Sequence, residues 1–144
     1  MKQEDKELLL KDLCARLPYK VKVKYYDSED ERDSIDVVEG IEDIYSTNPQ
    51  FYISQYALTM DKFTPYLFPL SSMTEEQKSE LENLGWNFDN FEIHNVSECF
   101  GTYREYVAHL DCFVLIDWLN KNNFDYRGLI EKGLAIDATN LNVY

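Results

Sequence analysis

Both histidines and two of the three cysteines fall in one stretch of the chain, as His94, Cys99, His109 and Cys112. Imidazole and thiolate are the ligands of a tetrahedral zinc site, and His109 and Cys112, three residues apart, share a face of any helix that carries them. The set matches no familiar finger and has no pair of cysteines two residues apart. Reduced thiols packed in a core are therefore the preferred reading, and no metal or other cofactor is expected. Cys14 and Cys112 also lack the basic or glycine-rich surroundings that lower a thiol pKa and make a nucleophile. No nucleophile elbow, phosphate-binding loop, dinucleotide turn or His-Glu-x-x-His helix occurs, and five glycines leave little material for a phosphate cradle. The expectation is a protein without a catalytic centre.

Carboxylates are the other abundant reactive group. The chain carries 27 acidic against 14 basic residues, a formal net charge of −13. That balance disfavours direct contact with nucleic-acid phosphates, which relies on Lys and Arg releasing counterions. The acidity is concentrated between Asp27 and Cys99, beginning with Asp27, Glu29, Asp30, Glu31, Asp33, Asp36, Glu39, Glu42 and Asp43. These nine are the candidate partner-binding residues; simple solubility is the plainer account of such a run, and the partner it would suit is a basic protein. Read as a calcium loop from Asp27, the run fails: Arg32 stands where the sharp turn needs Gly, and Val38 stands where a bidentate Glu is needed. A solvated hairpin tip is the better account.

At 144 residues, 44% hydrophobic and 15% aromatic, the chain has enough apolar area for one ordinary domain without staples. Residues 1–70 read as a helix plus a small sheet, and 71–144 as a mainly helical half. Lys6 to Leu17 spaces Leu9, Leu10, Leu13 and Leu17 as an amphipathic helix that Pro18 stops. Tyr19 to Tyr25 alternates Tyr and Val with Lys, a half-buried strand whose lysines discourage pairing with a foreign edge. Ile35 to Ile44 and Phe51 to Leu58 supply two or three more strands. Lys62 to Leu70, with Pro65 and Pro69, reads as an apolar connector rather than a central strand. Tyr45, Tyr52 and Tyr56 are expected to pack across strands in preference to lining a groove.

Thr74 and Gln77 form a capping box that opens a short acidic helix ending at Gly85. Trp86 to Gly101 shows no period. Tyr103 to Leu119 is apolar nearly all round and predicts a central helix, followed by a last short helix from Arg127 to Lys132 that Gly133 ends. The tail to Tyr144 shows no pattern. The resulting expectation is an α+β fold: a small bent antiparallel sheet, with closure into an SH3-like barrel as an option, covered by the N-terminal helix and the C-terminal helical half. The opening Met1-Lys2-Gln3-Glu4-Asp5-Lys6 is unlike a signal peptide, and no apolar run approaches the length of a membrane span, so a cytoplasmic protein is expected.

Three stretches carry a resemblance: Leu10 to Tyr19, Pro65 to Glu76, and Asp117-Trp118-Leu119-Asn120 continued by Phe124 to Ala135. On these the chain resembles a family of small uncharacterised proteins of gut Bacteroidales phages and mobile elements. The resemblance implies an origin and, with it, the cytoplasm of a bacterial host; it brings no activity or ligand. It favours a module that binds a host or defence protein. An acidic mimic that blocks the basic groove of a nucleic-acid-handling protein is the alternative, and a small metal-dependent or hydrolytic enzyme the second alternative.

Overall fold

A computed structural model describes residues 1–84 and 106–144, with the side chains of 106–112 outside that description. The N-terminal helix α1 spans Gln3–Arg16, with Glu4 and Asp5 in its first turn and Arg16 in its last, the arrangement the helix dipole favours. Leu17–Tyr19, containing Pro18, tightens into a single 3-10 turn, and Lys20 then adopts φ 55°. Tyr19 thus belongs to the turn, and β1 runs Lys22–Asp27. The alternation expected of this strand holds from Val21 onward: Val21, Val23 and Tyr25 are buried.

β1 pairs antiparallel with β2, Arg32–Glu42, across the charged tip expected from the sequence. β3, Gln50–Ile53, and β4, Tyr56–Thr59, follow as a tight hairpin. A register shift between Val38 and Gly40 bends β2. The Tyr52 ring lies beside Gly40, where a Cβ would stand at an ordinary contact distance of 3.7 Å. The bend curls β3 and β4 over the sheet, bringing the Phe51 and Phe63 rings to 5.3 Å and those of Tyr25 and Tyr56 to 5.8 Å.

The segment expected to be a connector is a strand, β5, Phe63–Pro69, in the middle of the sheet. It pairs antiparallel with β1 at Phe63 to Pro65 and parallel with β6, Phe124–Asp125, and β7, Ile136–Asp137. Alternation explains how Pro65 is accommodated. The Tyr66 carbonyl and the Phe68 N–H face the edge that β1 and then β6 occupy, whereas the Leu67 carbonyl accepts from Ala138 on the β7 edge. Pro65 shares Leu67's edge, so its missing N–H subtracts nothing from the β1 ladder.

The complete order is β4-β3-β2-β1-β5-β6, with β7 also on β5. The fold is α+β with an open sheet. The barrel option is corrected: a turn joins β4 to β5, with Lys62 donating to Thr59 at 2.9 Å, but these strands do not pair, and β5 spends its edges on β1, β6 and β7.

The second half of the chain opens with α2, Glu75–Asn83, whose Thr74/Gln77 capping box is present in both directions at 2.9 and 3.2 Å. The expected stop at Gly85 and the irregular Trp86 to Gly101 lie outside the described residues. The next helix, α3, spans Tyr106–Lys121. It buries Leu115, Trp118 and Leu119, but Phe113 is 60% and Val114 45% exposed, so it is a flanking helix rather than one sunk on every side. Trp118 stacks on Phe124 at 5.6 Å, forming with Leu81 and Met73 a second core beside the main one.

No helix forms over Arg127 to Lys132. One turn forms instead, with Gly128 and Gly133 at φ 72° and 69°, closed by Leu134 donating to Leu129 at 2.8 Å and Gly133 to Ile130 at 3.0 Å. The two glycines bracket a segment too short to propagate a helix. Its Leu129 and Leu134 enter the main core, and the chain returns β6 and β7 to the sheet, so the two sequence halves interleave.

The patternless tail proves to be held. The Tyr144 hydroxyl lies between β1 and β5 where they diverge, accepting from the Lys22 N–H at 3.1 Å and donating to the Tyr66 carbonyl at 2.8 Å. The Lys22 ammonium donates to Val143 O at 2.5 Å and lies over the Tyr144 ring. Burial pushes the phenol pKa up to about 12. Tyr144→Phe should remove both hydrogen bonds from a tail that is 44% exposed at this residue and lower stability by roughly 0.5–1.5 kcal/mol in urea unfolding; a change below a few tenths would show that water replaces the hydroxyl at no cost.

Candidate partner-binding surface

The nine acidic candidates do not gather at one place. Asp27 to Asp33 sit at the β1–β2 tip, while Glu42 and Asp43 sit at the other end of β2. Ten strand steps, roughly 33 Å in a straight strand and less in this bent one, lie between Arg32 and Glu42.

At the tip, many of the charges are already engaged. Asp27 Oδ1 accepts from the N–H groups of Glu29 and Asp30 at 2.9 and 3.2 Å and from the Tyr56 hydroxyl at 2.8 Å. The Tyr56 bond foremost holds its pKa below the ordinary carboxylate value. Asp30 pairs with Arg32 at 2.8 Å and Asp33 with Lys24 at 2.6 Å, while Glu29 accepts from Gln55 at 2.9 Å. Glu31 closes the turn at φ 51°. In mid-strand, Asp36 accepts from the Val37 N–H, and Glu39 is exposed at the bulge.

The other end has a different character. The loop from β2 to β3 turns at Asp43, φ 51°, and is fixed by Ser46 donating to the Asp43 carbonyl at 2.8 Å and Asn48 to the Ser46 hydroxyl at 3.2 Å. Glu42, Asp43, Ser46, Asn48 and Gln50 line a hollow of about 250 Å³. Tyr52 donates to Glu42 at 2.5 Å across its rim, and that carboxylate holds the Tyr52 phenol above its usual pKa. Beside the hollow, Tyr45 is 98% exposed and Ile44 41%. Tyr56 packs across strands as expected, but Tyr45 does not: the short loop aims it outward and away from both cores.

No protein-family model, curated protein or solved structure matches the chain. The reading of the site therefore rests on its own geometry.

Of the zinc candidates, His94 and Cys99 fall outside the described residues, and His109 and Cys112 lie in α3 where side chains are not described. Among the described residues no group of three or more His, Cys, Asp or Glu side chains is placed to hold a metal. Cys14 is half-buried on α1, and burial pushes its thiol pKa up, away from the thiolate a nucleophile needs.

Sequence reasoning missed the most highly organised polar group. Asp12 and Arg16 are both 0% exposed and joined twice, Arg16 Nε to Asp12 Oδ2 at 2.6 Å and Nη2 to Oδ1 at 3.0 Å. Arg16 Nη2 also donates to the Phe124 carbonyl at 2.7 Å, while Nη1 has no hydrogen-bond partner. Arg127 Nε stands 3.3 Å from Asp12, and its Nη2 donates to the Tyr126 hydroxyl, which donates to Asn120. Both guanidiniums lie over the Tyr126 ring, at 5.5 and 4.8 Å. The cluster ties α1, α3, β6 and the 127–133 turn together, which is structural work. One signal was available: Asp12 and Arg16 fall on the Leu9/Leu13 stripe, three and seven residues after Leu9, where an unpaired charge would not be tolerated.

Proposed function

We propose that the protein is a non-catalytic binding module that engages another protein through the β2–β3 end of its sheet. The observation that carries this reading is Tyr45, a large aromatic ring held almost wholly in solvent by a fixed loop, with Ile44 beside it and Glu42 and Asp43 at its border. Among the described residues the ring belongs to neither core. An amphipathic aromatic of few rotamers is the usual anchor of a binding hot spot, and the carboxylates around it suit a basic partner. The resemblance to phage and mobile-element proteins makes a host or defence protein in the bacterial cytoplasm the partner we propose. Among the described residues no helix is long and apolar enough to cross a membrane.

The mimic of nucleic acid is the weaker reading. It needs a row of free carboxylates on one rigid face, whereas Asp30 and Asp33 are paired and the remaining charges are spread along β2 from the tip to the Asp43 turn. An enzyme has no constellation to support it among the described side chains.

The test compares tagged wild type with Tyr45→Ala in host lysate, washed at rising salt. The expected result is a stoichiometric partner that wild type retains at high salt and the variant binds roughly thirty-fold more weakly, a hot-spot loss near 2 kcal/mol, with unchanged melting temperature. Equal capture by both proteins would remove Tyr45 from the interface. Release of the partner at low salt, with competition by DNA, would favour the mimic.

A further inference from the structure

We infer that the free edge of β4 accepts an extended, basic segment of the partner as an added strand, which runs past Thr59 to the acidic hollow beside Gln50. The inference rests on the reading of the protein as a binding module and names the chemistry of its partner.

Three observations carry it. β4 is the last strand of the sheet, and among the described residues no strand lies beyond it. Its register shows which groups are open. Ile53 pairs with Tyr56 around the two-residue loop Ser54–Gln55, and the closing pair of such a hairpin exchanges hydrogen bonds. Tyr56 and Leu58 therefore turn their backbone groups inward to β3, and Ala57 and Thr59 turn theirs outward. The Thr59 carbonyl is taken by the Lys62 N–H, which leaves the N–H and C=O of Ala57 and the N–H of Thr59 facing outward.

This edge is short, at four residues, but it carries none of the other usual protections. Tyr56-Ala57-Leu58-Thr59 contains no charge and no proline, and the β3–β4 register has no bulge.

Charge identifies the occupant. The Tyr56 end of β4 is flanked by Asp27, bonded to Tyr56, and Glu29, bonded to Gln55. The Thr59 end is followed by Asp61, which accepts from the Thr59 hydroxyl at 2.6 Å and shares its charge with Lys62 at 3.6 Å, and Thr59 is paired with Gln50 on the wall of the hollow, whose Glu42 and Asp43 supply the carboxylates at this end. Carboxylates at both ends of an uncharged edge suit a strand carrying Lys or Arg. A second copy of the chain, with its own net charge of −13, would be repelled. Strand addition draws affinity from main-chain hydrogen bonds and specificity from side-chain pockets, and the hollow, lined by Glu42 and Asp43, is the pocket placed to select a basic residue.

The probe is a displayed library of random dodecapeptides selected against the full chain. The expected peptides carry Lys or Arg at one fixed position beside alternating apolar residues, and their binding shifts the amide signals of Ala57 and Thr59. Ala57→Pro removes an outward N–H without touching the β3 ladder, and Asp43→Lys puts a cation at the hollow. Each should weaken binding at least tenfold. Enrichment of acidic peptides, absence of any enriched peptide, or undisturbed Ala57 and Thr59 amides would overturn the inference, as would a dimer of the protein itself that Ala57→Pro dissociates. The amide measurement stands on wild type even if a variant fails to fold. The Tyr45 capture comparison stays independent, so loss of the edge is distinguishable from loss of the binding reading.

Discussion

Asp12→Ala should cost about 3–5 kcal/mol of folding stability, the largest single-site loss expected in this protein. The carboxylate is fully buried and faces two guanidiniums, bonded to Arg16 at 2.6 and 3.0 Å and lying 3.3 Å from Arg127. Arg127 keeps partial access to water and can be rehydrated, but Arg16 is wholly enclosed. Its charge would remain in the core with the Phe124 carbonyl and the Tyr126 ring in place of a counter-charge. At roughly 2–4 °C per kcal/mol for a domain near this size, the melting temperature should fall by roughly 6–20 °C. The paired change Asp12→Ala with Arg16→Met should recover much of that loss, because it removes the stranded charge along with its partner. A single variant within 1 kcal/mol of wild type would mean that Arg16 is solvated without Asp12.

Asp125→Ala is expected to cost about 2–4 kcal/mol. Its Oδ1 accepts from Leu129 at 2.9 Å and from Arg127 at 3.3 Å, and its Oδ2 accepts from Ile130 at 2.8 Å. Bonds to a charged acceptor are worth more than neutral ones, and the N–H groups released include that of Leu129, which is buried. The 127–133 turn, which has no helix to stabilise it, would loosen and withdraw Leu129 and Leu134 from the main core. Asp125→Asn retains one acceptor oxygen and should lose about half as much. Urea unfolding gives the energies, and hydrogen exchange at Leu129 and Ile130 locates the damage. Unchanged exchange at those two amides would show that the turn is held by its glycine closure alone.

Both predictions concern residues that the sequence left inconspicuous, for a physical reason. The α1 helix was legible because Leu9 and Leu13 repeat at helical spacing, yet the same stripe includes Asp12 and Arg16, a local pair whose further partners are a carbonyl and an arginine more than a hundred residues away. The capping box was legible because both of its bonds are local. The candidate surface was half legible. The acidity from Asp27 to Asp43 is plain in the sequence, but not which charges find partners: Lys24 reaches Asp33 only because β1 and β2 pair in one register. Tyr45 resembled a strand aromatic until the turn at Asp43 aimed it into solvent.

What the sequence determined by itself is what nearest neighbours along the chain decide: the net charge, α1 and its end at Pro18, the alternation from Val21 to Tyr25, the hairpin at the acidic tip, the start of α2 and the α+β class. Tertiary structure alone decided the rest. Pro65 lies in the middle of the sheet because its missing donor faces the β7 edge, and the sheet remains open because β5 gives its edges to strands from the end of the chain. Arg16 is buried because Asp12 neutralises it there, with Arg127 at the partly open side of the same carboxylate, and β4 is free because nothing pairs beyond it among the described residues. Each of these depends on which groups meet across long separations, and hydrogen-bond direction and charge pairing exist only once they have met.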